Sequence, residues 1–263
     1  MSRDRADEAA ADSDRHVATY VYGIVPADVE PEQEATGIGD PPGKVDVVRY
    51  DEIGALVSEI PDRPLGTPAD LTAHAKLLDG SAAVVPVLPL RFGAVMTDPG
   101  SVETELLQTH HDEFRAALEE LEGRAQYVVK GRYAEKEILG EVLAENGEAA
   151  RLRERIRDTP QDAARDARME LGEIIYRAVE NKRAADTRRT IDALEPLRPV
   201  VNERQPTHDQ DAVHIAVLVE VSRQGELEEA VSALADEWDG RVDLHLLGPM
   251  AAYDFVMKRE PEG

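Results

Sequence analysis

The chain has 263 residues, with 54 Asp and Glu against 30 Lys and Arg, for a formal net charge of −24. Such a surplus repels nucleic-acid phosphates and anionic lipid, which excludes general binding to either, and it favours solubility. The absence of cysteine excludes disulfides, thiolate metal sites and a cysteine nucleophile.

Apolar residues make up 42% of the chain and aromatics only 4%, so Val, Leu, Ile and Ala must build the core. The length favours two domains over one. The opening MSRDRADEAAADSDRH (1–16) lacks the apolar region of a signal peptide and reads as a disordered acidic tail. No window approaches the roughly 18 apolar residues of a bilayer span. No membrane insertion is expected, and the expected location is cytoplasmic.

VATYVYGIVP (17–26) alternates and is β-branched and aromatic, which predicts a strand. Residues 27–44 are rich in Pro, Gly, Asp and Glu and read as a loop. VDVVRY (45–50) and ALVSEI (55–60) predict two short strands joined around Asp51–Gly54. Thr67 is the expected N-cap of a helix with Pro68 in its first turn, and Leu71, Ala75 and Leu78 on its apolar face. Val84–Leu88 then predicts a short buried strand that Pro86 confines to an edge. Pro89 and Gly93 bend the chain, and Arg91 leaves the core there. A second helix is expected over 101–122, with Val102, Leu106, His110, Phe114, Ala117 and Leu121 as its stripe and Gly123 as its stop.

AQYVVKGRY (125–133) predicts another strand. A long helical region, 134–195, breaks near Pro160. Ile138, Val142, Ala149, Leu152 and Ile156 recur at helical spacing before the break. Ala167, Leu171, Ile174, Ile175, Ala178 and Val179 do so after it. The prolines of ALEPLRPVVNERQ (193–205) end the helix before a strand near Val200–Glu203. AVHIAVLVEV (212–221) is apolar enough to be buried on both faces. GELEEAVSALADEWDG (225–240) is an amphipathic helix, and RVDLHLLG (241–248) is an alternating strand. From residue 125 the order is strand, helix, strand, strand, helix, strand, which is the split βαβ arrangement. The expected fold class is therefore α+β with two domains. An N-terminal α/β domain spans 17–123. A C-terminal ferredoxin-like domain spans 124–257, with 134–195 as an expanded helical arm, and a tail, 258–263, follows.

Candidate chemistry is sparse. GIGDPPG (37–43) lacks the preceding strand and following helix of a dinucleotide fingerprint and reads as a surface loop. His110 and His111 are adjacent on a predicted helix and point about 100° apart, so they do not face one metal. His110 falls on the apolar stripe and His111 does not. His214 reads as a hydrogen-bonded strand histidine, and His245 as a solvated one. No serine sits in a GxSxG elbow. The carboxylate runs read as solvated helix faces. Neither a catalytic constellation, a cofactor site nor a metal site emerges.

Two segments nevertheless carry a resemblance. One is VLPLRFGAVMTD (87–98), which follows the YVYGIV strand (20–25). The other is the closing GRVDLHLLGPMAAYDFV (240–256). Together, and in this order, they resemble the gas vesicle protein L/F family (GvpL/GvpF), over Val17 to Val256. The resemblance implies a two-domain α/β protein that is an accessory or minor structural component of gas vesicles, and not an enzyme. It implies association with the major shell protein GvpA and other vesicle accessory proteins, support of nucleation and assembly, and protection of that apolar protein from aggregation. The family-motif positions are Pro89, Arg91, Phe92, Gly93, Gly248, Pro249, Tyr253 and Phe255, in structural or partner-contact roles. The chain has Met250, Ala251 and Ala252 where family members often carry Trp-Pro-Pro. For Arg91 the alternatives are a structural ion pair and a partner contact. A different class of function, a small-ligand regulatory module built on the ferredoxin-like domain, is the alternative for the whole chain.

Overall fold

β1 (Thr19–Pro26) is buried at every position but its last, as the central strand of a sheet must be. A computed structural model describes residues 18–256 apart from 33–34, 61–62 and 161–162. The expected tails at 1–16 and 258–263, and Val17, lie outside the described residues. The fold mixes helix and sheet and falls into two compact units. One comprises residues up to Ala125 together with those from Pro249 onward, and the other is Gln126–Gly248.

In the first unit, β2 (Asp46–Tyr50) and β3 (Ile53–Glu59) form a hairpin in which Tyr50 pairs with Ile53, leaving Asp51 and Glu52 as the turn. Asp51 takes a positive φ of 50°, a conformation that aspartate tolerates better than most residues. β3 pairs antiparallel with one edge of β1. The other edge of β1 is covered by β4 (Leu88–Pro89) and then β5 (Val95–Met96). The predicted strand 84–88 is thus much shorter and shifted. Val84 is 81% exposed, and the amides of Val84 and Val85 bond back to the Ser81 carbonyl.

Helix α1 (Pro68–Ala82) starts at the Thr67 cap as expected. Its buried face is different: Asp70, His74, Leu78 and Ala82 point inward, while Leu71 is 50% exposed. The cause is electrostatic. The Asp70 carboxylate accepts two bonds from Arg63, at 2.6 and 2.8 Å, and bonds from the amides of Gly66 and Thr67. That anchorage fixes the helix phase against the apolar pattern.

The second predicted helix is interrupted. A turn at Pro99–Ser101, capped by Asp98, leads into a π-helical stretch, Val102–Leu107. Helix α2 (His111–Leu121) begins after it. The wider π turn buries Val102 and Leu107, five residues apart. Everything downstream is therefore rotated relative to a continuous α-helix. His110 ends up 46% exposed and His111 19% exposed, the reverse of the predicted order.

In the second unit, β6 (Arg124–Tyr133) leads to α3 (Glu135–Glu145) and α4 (Gly147–Arg157). These are split by Asn146, whose side chain accepts from the amides of Glu148 and Ala149. Helix α5 (Arg165–Leu194) runs for 30 residues. It leads to β7 (Val200–Glu203), β8 (Asp211–Glu220), α6 (Gln224–Glu237) and β9 (Val242–Met250). The sheet order is β7-β8-β6-β9, with β8 and β6 in the middle. β8 is a near-continuous apolar run and β6 is buried along most of its length, which matches that central place. The predicted second domain ran on to 257, whereas Pro249–Val256, including the short helix α7 (Tyr253–Val256), groups with the first unit. There Ala251 is fully buried, and its amide donates to Asp79 Oδ1 at 3.0 Å.

Candidate functional site

The proline and glycine of LPLRFG do separate jobs. Pro89 closes the short ladder with Gly23, and the Leu90 amide continues it by donating to the Tyr22 carbonyl at 3.0 Å. Arg91–Ala94 is then a turn, with the Ala94 amide bonding the Arg91 carbonyl at 3.3 Å and Gly93 at φ +93°. A type II turn demands positive φ at its third residue, which is why glycine stands there. Immediately afterwards the Ala94 carbonyl accepts from the Val21 amide at 2.9 Å. The chain thus pairs with β1 on both sides of the turn and holds Arg91 out in solvent at its tip.

Beneath the turn lies an aromatic cluster. Tyr20, Tyr22 and His74 are buried, and Phe92 packs against them. Ring centroids of Tyr20 and Tyr22 are 4.8 Å apart at 60°, and Phe92 sits 5.8 Å from Tyr20 and 5.5 Å from His74. Edge-to-face contacts of this kind add to the area they bury. Both tyrosine hydroxyls are satisfied. Tyr20 Oη meets His74 Nδ1 at 3.0 Å and accepts from the Gly93 amide at 3.1 Å. Tyr22 Oη meets Ser58 Oγ at 2.8 Å and accepts from the Ile38 amide at 2.7 Å. Burial raises the Tyr20 hydroxyl to about 12, with the Gly93 amide opposing. Burial pulls the His74 imidazole down, against a backbone bond to Leu90. These interlocked groups brace the turn from below.

Tyr253 and Ala251 join the same core. The Tyr253 hydroxyl is buried without a hydrogen-bond partner, and burial raises its pKa, with Asp79 and Tyr20 adding to the shift. Burial likewise raises Asp79, opposed by the Ala251 amide. Pro249 and Phe255 are half-buried. Five of the eight motif positions, Pro89, Arg91, Phe92, Gly93 and Tyr253, therefore meet around one turn and the core under it. Gly248 belongs to the second unit, where its φ is +131°. A Cβ there would lie 2.8 Å from Tyr127 and 2.9 Å from the Gln126 carbonyl.

The second unit holds a different cluster. Asp186 Oδ2 accepts from Tyr133 Oη at 2.6 Å and from Arg241 at 2.9 Å. Arg241 also donates to Glu141 at 2.7 Å, and Lys182 reaches Glu141 and Glu145. Each charge in this network faces an opposite one, the pattern of a structural clasp. GIGDPPG is a closed loop: its Gly37 and Gly43 amides bond to the carbonyls of Gly43 and Ile38, and the Ile38 side chain is buried. His214 Nδ1 lies 3.1 Å from the Gln205 carbonyl, and His245 lies 3.1 Å from Asp243.

A family model for "Gas vesicle synthesis protein GvpL/GvpF" matches residues 18–257. The chain belongs to the GvpL/GvpF family. It is 30% identical over 243 residues to gas vesicle protein F of Streptomyces sp. (strain CB03234), covering 91% of this chain and 100% of that one. It is 26% identical to gas vesicle protein L of the same strain, covering 90% and 92%. The crystal structure of GvpF from Anabaena sp. PCC7120 superposes with a TM-score of 0.77 at 23% identity, covering 91% and 98%. The GvpL/GvpF family is one of gas vesicle proteins. No helix among the described residues is long and apolar enough to cross a membrane.

Proposed function

We propose that this chain is an accessory or minor structural protein of gas vesicles, acting in the cytoplasm and at the vesicle, that binds the major shell protein GvpA and supports nucleation and assembly. The observation that carries the reading is the family match across residues 18–257. The surface supports it. A protein that shields an apolar shell subunit needs apolar contact points on a body kept soluble by charge. On α5, Met169 and Tyr176 are 61% and 64% exposed and stand seven residues apart, on one helix face. The net charge of −24 supplies the solubility. In this reading the Arg91 turn is a second contact, displayed by its rigid aromatic base. The motif residues act by shape and contact, and none is assigned catalysis.

The second unit reads as ferredoxin-like, on the support of its element order and the strand order β7-β8-β6-β9. That fold also hosts small-ligand modules, and a pocket of about 210 Å³ lies between α5 and the β7–β8 hairpin. Its polar groups favour the first reading, because they are largely spent internally. Arg183 donates to the carbonyls of Asp209 and Asp211 and pairs with Glu180, and His214 is held by Gln205.

The test is a pull-down of GvpA by the full chain, alongside a deletion strain. Recovery of GvpA and defective vesicles on deletion are expected. Recovery of no vesicle protein, with normal vesicles in the deletion strain, rejects the reading. Saturable thermal stabilisation by one metabolite would favour the ligand module instead.

A further inference from the structure

The β2–β3 turn and the start of α2 bring three metal-ligating side chains together. Single donor atoms from Asp51, Glu52 and His111 all lie within 4.8 Å of one another. Two of these residues form the hairpin turn and the third comes from a helix some sixty positions later in the chain. We propose that Asp51, Glu52 and His111 form a binding site for a divalent transition-metal ion of the zinc type, which would clasp the hairpin to α2.

The imidazole carries the argument. His111 Nδ1 stands 3.1 Å from Asp112 Oδ1 and Nε2 stands 3.1 Å from Glu52 Oε2. The ring is edge-on to Tyr50, with centroids 5.7 Å apart. A neutral imidazole has one N–H. With that hydrogen on Nδ1, donated to Asp112, Nε2 presents a lone pair directly to the Glu52 carboxylate. Two lone pairs facing each other call for a cation between them, either a proton or a metal ion. A histidine whose Nδ1–H is held by a carboxylate while Nε2 faces the ligand space is the arrangement in which protein imidazoles bind zinc. The spacing fits as well. Two donors each about 2.1 Å from one zinc ion stand about 3.4 Å apart at the tetrahedral angle, close to the observed separation of Nε2 and Oε2. Asp51 completes three donors, and water or another donor fills the fourth position.

Among the described residues, no lysine or arginine forms an ion pair with Asp51, Glu52 or Asp112. The remaining competitor for the seat is a proton on Nε2. The donor set decides between metals: an imidazole nitrogen favours zinc, nickel or copper, whereas calcium and magnesium prefer oxygen alone.

The experiment is calorimetric titration of zinc chloride into the chelator-treated full chain, with and without millimolar calcium and magnesium. One saturable zinc site that survives both hard cations is expected. His111→Gln and Glu52→Gln should each weaken zinc at least tenfold, while His110→Gln leaves it unchanged. Melting curves followed by circular dichroism check that each variant is folded. Glu52 is an exposed turn side chain, so its variant keeps the test decisive even where His111→Gln loses its fold. Absence of saturable zinc binding overturns the proposal. So does binding that folded Glu52→Gln leaves intact, or binding displaced equally by calcium, which marks diffuse acidic attraction.

Discussion

Asp70→Asn is the sharpest test of why α1 lies as it does. The Asp70 side chain is 1% exposed and accepts four bonds: two from Arg63, one from the Gly66 amide and one from the Thr67 amide. Arg63 holds the carboxyl well below the usual carboxylate range, burial opposes this, and Thr67 reinforces it. Asparagine keeps the shape but turns one acceptor into a donor, so about half the contacts are lost and one faces another donor. Bonds to a charged acceptor contribute about 1.5–3 kcal/mol each, and breaking a buried pair costs about 3–5 kcal/mol. Arg63 is 30% exposed and rehydrates readily, so the expected loss is about 2–3 kcal/mol. In a thermal melt followed by circular dichroism that is roughly 4–10 °C on the transition of the first unit. The pH dependence follows from the sign of the shift. A depressed carboxylate stabilises the fold above its unfolded value, about 3.9, and loses that contribution as pH falls toward the folded value. The gap between parent and Asp70→Asn should be constant above about pH 5 and close progressively below about pH 4. A deficit under about 1 kcal/mol at pH 7 would refute the reasoning, and so would a gap that persists unchanged at pH 2.5 with both proteins folded.

Gly248→Ala should cost at least about 2 kcal/mol in urea unfolding, because positive φ and the approach to Tyr127 both reject a Cβ. Tyr253→Phe removes a buried hydroxyl that has no partner. It should leave stability unchanged or raise it by up to about 1 kcal/mol, and a clear loss would reveal a missed hydrogen bond. Asp186→Ala strands the Tyr133 hydroxyl and one arm of Arg241, so a loss of about 2–3 kcal/mol confined to the second unit's transition is expected. Arg91→Ala, at an exposed turn tip, should keep the melting temperature within about 2 °C of the parent while weakening recovery of GvpA. A large melting shift with unchanged recovery would make Arg91 a structural residue.

Much of the fold was legible because the apolar pattern and the architecture agree there. β1 and β8 are long apolar runs, and each is a central strand. Thr67, followed by Pro68, announced α1. The pattern misled where a polar group outranked it. The apolar spacing placed Leu71 on the inner face of α1, yet the bond of Asp70 to Arg63 turned the helix so that Leu71 faces water and His74 enters the core. Val84–Leu88 read as a strand by composition, but the helix before it captures the amides of Val84 and Val85. The tail of the chain misled for another reason. Pro249–Val256 follows β9 in sequence, and only the fit of Ala251 and Tyr253 beside Tyr20 assigns it to the first unit.

The LPLRFG turn and the His111 cluster show two limits of sequence reading. At the turn, Pro89 and Gly93 are local signals, since each restricts or frees its own backbone, and they located the bend. What they could not supply was its base, because Tyr20 and His74 are brought there by separate elements. At His111 the local signal pointed the wrong way. Two adjacent histidines on a regular helix diverge, and on that geometry a shared metal was rejected. That geometry assumes a regular helix, whereas Val102–Leu107 takes a π turn, which advances the phase and swings His111 toward the hairpin while His110 turns to solvent. Nor did Asp51 and Glu52 look like ligands, being ordinary turn formers. A π-helical insertion carries no strong composition cue, so a change in helix phase stays hidden until packing reveals it. Helix phase decides which of two neighbouring imidazoles meets the carboxylates. The candidate metal site therefore depends on that one irregular stretch, where sequence periodicity is least informative.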